Sequence, residues 1–532
     1  MVADLVIKQL EAWGVDTIFG MPGVFNIPLL QAIEKSKIRF YLVRHEEGAA
    51  FMASAYAKAS NRLGVCLASG GPGAAHLVNG LYDAYKDGVP VLAITGLVPG
   101  KYRGTEHQQE FTPGLLYEDM TVYNTTLGVP EATTKIVKEA MRKALARKKV
   151  SHIGIPSDLL TMPTTGTIYP FEPFLGTLAQ SPSYIIEHGI EMLRSAQKPV
   201  FLIGRGAMGA EDLVRQLAEK IDAGVITSLP AKGLFPEDHP LGLGVIGGAG
   251  TDTSKEIAAR SDLLFVIGST WWPEPLYRLA QNYRIMQLDV LPENIGKHYH
   301  ADLGIAGDTK TVLSTMIQSI DENKKPDWVN EIKKSKETWN RRVETVLNEA
   351  IPMEPAKVMR ELESILPDNA ILAVDTGDHT YWWGEVFRGK QQQVLLSWLW
   401  RSVGFGLPAA IGAKVAQPSR PVFAIVGDAG FSMLMAEFST AVSYNLPITV
   451  IVLDNLGLGK ELNEERIKFG FIHGVSYSSI DFARFAECCG GMGYRVNSVE
   501  ELREVMLHAK NSTQPTLIHV SIKSTPLLQP LP

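Results

Sequence analysis

The sequence predicts an α/β protein built from three doubly wound parallel-sheet domains, and three observations lead there. Short apolar, β-branched runs alternate with longer helical stretches from end to end, the pattern of parallel strands joined by crossover helices. Many of those runs end in a glycine-rich or polar turn. The 532 residues, 45% apolar and 20% charged, exceed what one hydrophobic core absorbs and supply material for several.

The first domain, 1–165, opens on an amphipathic helix with Val2, Leu5, Val6, Leu10 and Trp13 on one face, while Asp4, Lys8 and Glu11 interrupt any signal-peptide core. Strands at 16–19, 39–43, 64–68 and 90–94 run into Gly20-Met21-Pro22-Gly23, Arg44-His45-Glu46-Glu47-Gly48, Ser69-Gly70-Gly71-Pro72-Gly73 and Thr95-Gly96. Open parallel sheets bind ligands at the carboxyl ends of their strands, so these four ends predict a site. The stretch 161–183, with Pro163, Pro170, Pro173 and Pro182 and no helical period, reads as a linker. The second domain, 183–325, has strands at 199–204, 224–227, 263–268 and 284–289 and a helix over 210–221. The charged segment 321–336 marks the next boundary, and the third domain, 350–532, has strands at 370–375, 422–427 and 448–453.

Lys and Arg number 51 against 57 Asp and Glu, a net charge of −6; with no basic block to track phosphates, nucleic acid is not the expected partner. No run of about 18 uncharged apolar residues occurs, so no membrane span is expected. The three cysteines, Cys66 and the neighbours Cys488 and Cys489, cannot staple distant loops and fit a reducing, cytoplasmic setting.

The most informative stretch is Gly427-Asp428-Ala429-Gly430, between an apolar strand and the helical run 431–443; the next apolar strand ends in Asp454-Asn455-Leu456-Gly457. Asp428 and Asn455 are about 27 residues apart, the length of one β-α-β crossover, which puts both at the carboxyl ends of neighbouring parallel strands. A carboxylate, an amide oxygen and a backbone carbonyl suit a hard divalent cation whose remaining ligands are phosphates and water. The small residues at 427, 429 and 430 let N–H groups at a helix start approach a diphosphate. Locally, an Asp capping an ordinary strand-to-helix turn reads the same way.

The spacing resembles the motif of thiamine-diphosphate enzymes, Gly-Asp-Gly followed one crossover later by Asn-Asn; here the two parts stand as Gly-Asp-Ala and Asp-Asn. The resemblance implies Mg²⁺ held by Asp428, Asn455 and the carbonyl of Gly457, with Gly427, Ala429 and Gly430 against the diphosphate. The segment from Arg44 to Met52 is similar to the one bearing the family's activating glutamate, which by position is Glu46. That carboxyl protonates the aminopyrimidine, whose amine can then act as the base that removes the thiazolium C2 proton.

The run 69–81 resembles the family's Gly-Pro-Gly turn and following helix, implying cofactor contacts at Gly71, Pro72, Gly73 and Asn79 and a substrate-side His76. Gly23, at the first strand end, joins them. Gln109 falls where the family places a substrate-side glutamine, with Gln108 in place of the usual Phe. Val403, in the glycine-rich turn 402–409, matches the apolar residue that wedges between the two cofactor rings and keeps them bent, a proximity effect. Gly377, Asp378 and His379, after the strand 370–375, complete the expected cofactor contacts. The likeness spans nearly the whole chain. It implies pyrimidine-binding, central and diphosphate-binding domains, with each cofactor between the first domain of one subunit and the third of another, in a homodimer or homotetramer.

Within the family, 76–84, 230–233 and 430–435 look most like pyruvate oxidases and acetolactate synthases. Both decarboxylate pyruvate, a small-molecule 2-oxo acid. The first oxidises the two-carbon fragment through FAD to acetyl phosphate or acetate, and the second adds it to another 2-oxo acid. The tandem His pair of pyruvate-decarboxylase-type enzymes does not occur, and Glu46 separates the chain from glyoxylate carboligase. Glu464 matches a glutamate typical of the oxidases and joins Glu46, Gln109 and His76 as a catalytic candidate. Lys460 and Glu461 replace two bulky apolar residues of the relatives, so they either form a solvated helix face or favour a polar or anionic substrate. FAD contacts are expected at 204–206, 247–250 and 268–272, glycine turns that any doubly wound domain can carry. The expectation is a pyruvate-oxidase-like enzyme. Acetolactate synthase is the alternative, and a non-catalytic diphosphate-binding protein is the reading from another class, against which Glu46 argues.

Overall fold

A computed structural model describes residues 1–171, 180–270, 283–348 and 353–525; Pro173 and the last two residues of the expected FAD contact 268–272 lie outside them. Three six-stranded sheets follow one another along the chain. The first comprises β1 (Thr17–Gly20), β2 (Arg39–Leu42), β3 (Gly64–Ala68), β4 (Val91–Leu97), β5 (Tyr123–Thr126) and β6 (Val150–Pro156), in the order β2-β1-β3-β4-β6-β5. The second comprises β7 (Pro199–Ile203), β8 (Gly224–Thr227), β9 (Gly242–Val245), β10 (Leu263–Ile267), β11 (Arg284–Asp289) and β12 (Leu303–Ala306), in the order β12-β11-β10-β7-β8-β9. The third comprises β13 (Ile371–Val374), β14 (Gln393–Leu395), β15 (Val422–Gly427), β16 (Thr449–Asp454), β17 (Met492–Val496) and β18 (Thr516–Ser521), and repeats the order of the first: β14-β13-β15-β16-β18-β17. The strand pairings within these sheets are parallel. Strands β3, β7, β10, β13 and β16 are buried along their whole length, which is why they read as apolar runs rather than as alternating patterns.

Two stretches differ from their sequence reading. The charged segment after the second sheet is not simply a boundary: Pro326–Asn348 is a helix. Trp328 and Ile332 enter the core of the second sheet, Trp339 and Val343 that of the third, and the charges are its outer face. The run 431–443 is two helices, Asp428–Leu434 and Glu437–Ser443, the first starting at the Asp itself. Among the described residues no helix is long and apolar enough to cross a membrane.

The first and third domains share one core. At its centre the alanine-rich helix Glu46–Ser60 packs on the helix Gly406–Ala416. A Cβ on Gly412 would lie 2.3 Å from the Met52 carbonyl oxygen, so only glycine allows this approach. Phe51 meets Phe405 edge to face at 5.6 Å. At the end of the same helix, Lys58 Nζ donates at 2.8 Å to Asp83, to Asp87 and to the Leu396 carbonyl, with all three charged side chains buried. Burial pushes the Asp83 carboxyl up despite Lys58. In Asp87 burial is outweighed by Lys58, Arg205 and backbone donation from Leu399, and its carboxyl sits low.

Candidate active site

In the third domain the carboxyl ends of β13, β15 and β16 bring acidic and amide groups together. Asp428 starts its helix one residue beyond the strand turn at Gly427 and is buried. Its carboxyl shares a hydrogen bond with Asp454 and accepts from the N–H of Gly457. Burial, and then the charge of Asp454, push Asp428 up to about 7. Asp454 sits low despite its burial, because it faces His519 Nε2 at 2.8 Å and accepts from Leu456 N–H at 3.0 Å. Asn455 donates Nδ2 to Asp378 Oδ2 at 3.1 Å, while its Oδ1 is buried without a partner. Burial, followed by the nearby charge of Glu461, raises Asp378 to about 6. Gly459 leaves room for the Asp378–Asn455 pair, since a Cβ there would lie 2.2 Å from Asp378 Oδ2.

The glycines around this cluster are set by contact. A Cβ on Gly430 would be 2.3 Å from Asp375 Oδ2 and 3.4 Å from Val403 Cγ1. Asp375 is buried and accepts the N–H groups of Gly404 and Phe405 at 3.1 Å, so it fixes the turn that presents Val403; burial raises it to about 7. Gly427 and Gly377 both face the buried His379 ring, at 3.4 and 2.6 Å from a Cβ. His379 Nε2 has no partner, and burial lowers its pKa to about 4. Gly457 is bridged to Ser476. Ala429 is buried.

In the first domain the turns after β1, β2 and β3 meet. Glu46, buried at the start of its helix, has Oε2 2.9 Å from His76 Nδ1. The His76 ring stacks on His45 at 4.4 Å. Gly71 adopts φ +63° ahead of Pro72, the first residue of the helix Pro72–His76, and a Cβ on Gly73 would come within 2.8 Å of Glu46 Oε1. Gly23 packs on Ser69, 2.4 Å from a Cβ. Gln109 is exposed, with φ +63° and its backbone against Gly71. Asn79 uses its amide within the chain, donating to Glu47 Oε1 and Ser402 Oγ at 2.7 and 2.9 Å and accepting from Trp400 Nε1 at 2.6 Å. It therefore ties the Glu46 turn to the Val403 turn. Glu464, in contrast, pairs with Lys460 at 3.1 Å and Lys468 at 3.3 Å; those cations hold its carboxyl low, and Lys460 is thereby turned along its own helix.

In the second domain the strand order reverses between β7 and β10, where open sheets form their binding crevice. Gly206 N–H donates to the Gly268 carbonyl at 3.0 Å. Arg205 reaches across to the Asp87 carbonyl of the first domain.

Comparison with known proteins decides the family. Three family models match in order: thiamine pyrophosphate enzyme, N-terminal TPP binding domain, over residues 1–115; central domain, over 186–316; and C-terminal TPP binding domain, over 375–520. The "Putative thiamine pyrophosphate-containing protein YdaP" of Bacillus subtilis (strain 168) is 35% identical over 99% of this chain and 92% of its own. The chain belongs to the thiamine pyrophosphate enzyme family. The "Pyruvate oxidase" of Lactiplantibacillus plantarum is 30% identical over 99% of this chain and 89% of its own, and the "Probable acetolactate synthase large subunit" of Methanocaldococcus jannaschii 32% over 100% and 93%. These relatives place it in the pyruvate oxidase and acetolactate synthase branch of thiamine pyrophosphate enzymes that decarboxylate 2-oxo acids.

Sequence reasoning on this family member missed Asp375, which anchors the Val403 turn, and His519, which supports Asp454. Asp375 ends the strand read at 370–375, and that position is the signal that marks it. His519 lies mid-strand in β18, and only the pairing of β16 with β18 sets it beside Asp454.

Proposed function

We propose that this chain is a thiamine-diphosphate- and Mg²⁺-dependent enzyme acting on pyruvate in the manner of a pyruvate oxidase. The observation that carries the cation reading is the buried, unpartnered Oδ1 of Asn455, at the strand end beside that of the buried Asp428. A hard cation would give Oδ1 a partner and offset the burial of the Asp428 carboxylate, so Asp428, Asn455 and the Gly457 carbonyl fit as its ligands. Gly427, Ala429 and Gly430 would hold the diphosphate, and Val403 the bend between the rings. When bound, the cofactor supplies the carbon nucleophile and electron sink for loss of CO₂. Glu46, a buried carboxyl one hydrogen bond from His76, would face the aminopyrimidine in this reading. Glu46 and Asp428 end different sheets, and the reading joins them in one site by pairing two copies of the chain, as a homodimer or homotetramer. The exposed apolar residues Leu456, Phe469, Phe471, Ile472 and Tyr477 support such an interface.

FAD is the oxidant of this reading. Two observations support it: the switch point at β7 and β10, and a cleft of about 670 Å³ that Thr270, just beyond β10, lines together with Lys86, Lys149, Lys297, His298 and the Arg147–Glu293 ion pair. Burial, then the charge of Lys297, lower Lys149 to about 8, so an anion there relieves a crowded set of cations. The second reading, acetolactate synthase, is favoured by the names of several relatives. The visible spectrum and the products from pyruvate, with and without phosphate, decide between them. The oxidase reading expects a flavin band near about 450 nm and acetyl phosphate or acetate. A protein that stays colourless with added FAD and makes acetolactate is the synthase, and pyruvate consumption undiminished by Glu46→Ala removes the role of Glu46.

A further inference from the structure

The strand end that carries Glu46 is held from the third domain. Glu437 is fully buried, and its Oε1 accepts the backbone N–H groups of both Arg44 and His45, each at 2.9 Å. Its Oε2 accepts Thr440 Oγ1 at 2.7 Å. The same helix supplies Ser439 Oγ to Arg44 Nε at 2.9 Å, and just beyond it Tyr444 OH accepts Leu42 N–H at 2.7 Å. β2 is the edge of its sheet, so no further strand meets these groups. A Cβ on Gly48 would come within 2.6 Å of Glu437 Oε1, so the helix start is fitted to the carboxylate at contact distance. A buried carboxylate is costly unless donors meet it, and its backbone donors here are the N–H groups of the two residues immediately before Glu46.

We propose that Glu437 is a positioning residue for Glu46: it fixes the Arg44 and His45 peptide units, and through them the direction in which the Glu46 carboxyl leaves the helix start. It does so without touching cofactor or substrate, and the proposal rests on the reading of Glu46 above. Asp428 and Glu437 begin consecutive helices, so the element that ends at the cation ligands also bears on the Glu46 turn of its own chain.

Two measurements test this. One is C2 hydrogen–deuterium exchange of thiamine diphosphate bound with Mg²⁺, read by acid quench and proton NMR. The other is amide exchange of the peptide 42–48 in the cofactor-free protein, read by mass spectrometry. Glu437→Ala is expected to slow C2 exchange about 100-fold, the scale of a small misplacement of a reacting group, and to strip protection from 42–48. Its Kd for thiamine diphosphate is expected to stay within about threefold, as for a group that does not contact the ligand. Glu437→Gln, whose amide oxygen accepts the same two N–H groups, is expected to restore both readouts. Should the alanine variant fail to fold, Glu437→Asp draws the acceptor back by one methylene and is expected to slow C2 exchange about tenfold. C2 exchange at the wild-type rate in the Ala or Asp variant, unchanged protection of 42–48, or a Gln variant no better than Ala each overturns the proposal. Wild-type protein that binds no thiamine diphosphate, or whose C2 exchange survives Glu46→Ala, overturns instead the reading of Glu46 on which it rests, and amide exchange still reports on the clamp itself.

Discussion

Replacing Lys58 by methionine removes the cation at the meeting point of the first and third domains while keeping most of its stem. The Nζ loses three acceptors at 2.8 Å, and Asp83 and Asp87, with side chains 0% and 1% exposed, are left facing each other. Breaking a buried ion pair from one side costs about 3–5 kcal/mol; Met fills the stem's volume, so little is added for a cavity. At about 2.1 cal/mol/K per residue, a chain of this length that melts as one unit loses about 4 °C in Tm, whereas a first domain melting alone loses about 12 °C. Calorimetry therefore reads both the energy and the size of the cooperative unit. The pH dependence carries the sign. Without Lys58 both carboxyls sit above their unfolded values, so their contribution is fully present at low pH and is lost as pH rises through the folded pKa. The deficit is expected to be largest at neutral pH and to shrink toward pH about 5. A Tm unchanged within about 1 °C, or a deficit that does not vary with pH, refutes the reasoning. The double variant Lys58→Met/Asp83→Asn is expected to recover part of the loss.

Three more outcomes follow from the same geometry. The raised Asp428 means that the cation-free protein loses stability as pH rises through about 7, so thermal unfolding should show Mg²⁺ stabilising more at pH about 8 than at about 6. Asn455→Leu removes the unpartnered Oδ1 and should raise the Mg²⁺ concentration for half-saturation about tenfold or more, read by titration of thiamine diphosphate binding; this is the scale of one lost charge-assisted contact. In Gly430→Ala the new methyl meets Asp375 Oδ2 at 2.3 Å, at a cost of about 1–3 kcal/mol. By shifting the Val403 turn it should weaken thiamine diphosphate binding, measured by quenching of intrinsic fluorescence.

Much of the site was legible because its residues sit at strand ends, where sequence order and chemistry coincide. Asp428 and Asn455 are one crossover apart, and the parallel pairing of β15 with β16 brings their ends together. Glu46 is legible for the same reason, as the first helical residue after β2. Glu464 and Asn79 show the limit. The type and place of Glu464 matched a substrate-side acid, yet its (i, i+4) neighbours Lys460 and Lys468 engage it, and Asn79 spends its amide on Glu47, Ser402 and Trp400. Side-chain partners depend on rotamer and neighbour, which spacing does not encode.

The sequence by itself determined three α/β domains and the family, since periodicity, strand-end glycines and motif spacing are local properties of the chain. Only the tertiary structure decided how the domains depend on one another. Lys58, Asp87, Asn79 and Glu437 each bond a segment of another domain, and contacts between groups hundreds of residues apart arise from packing on a shared core. The charged stretch after the second sheet belongs here too. As a sequence it is a boundary, and as a helix it is the side chains of Trp328 and Trp339, buried in two different cores, that make it a bridge.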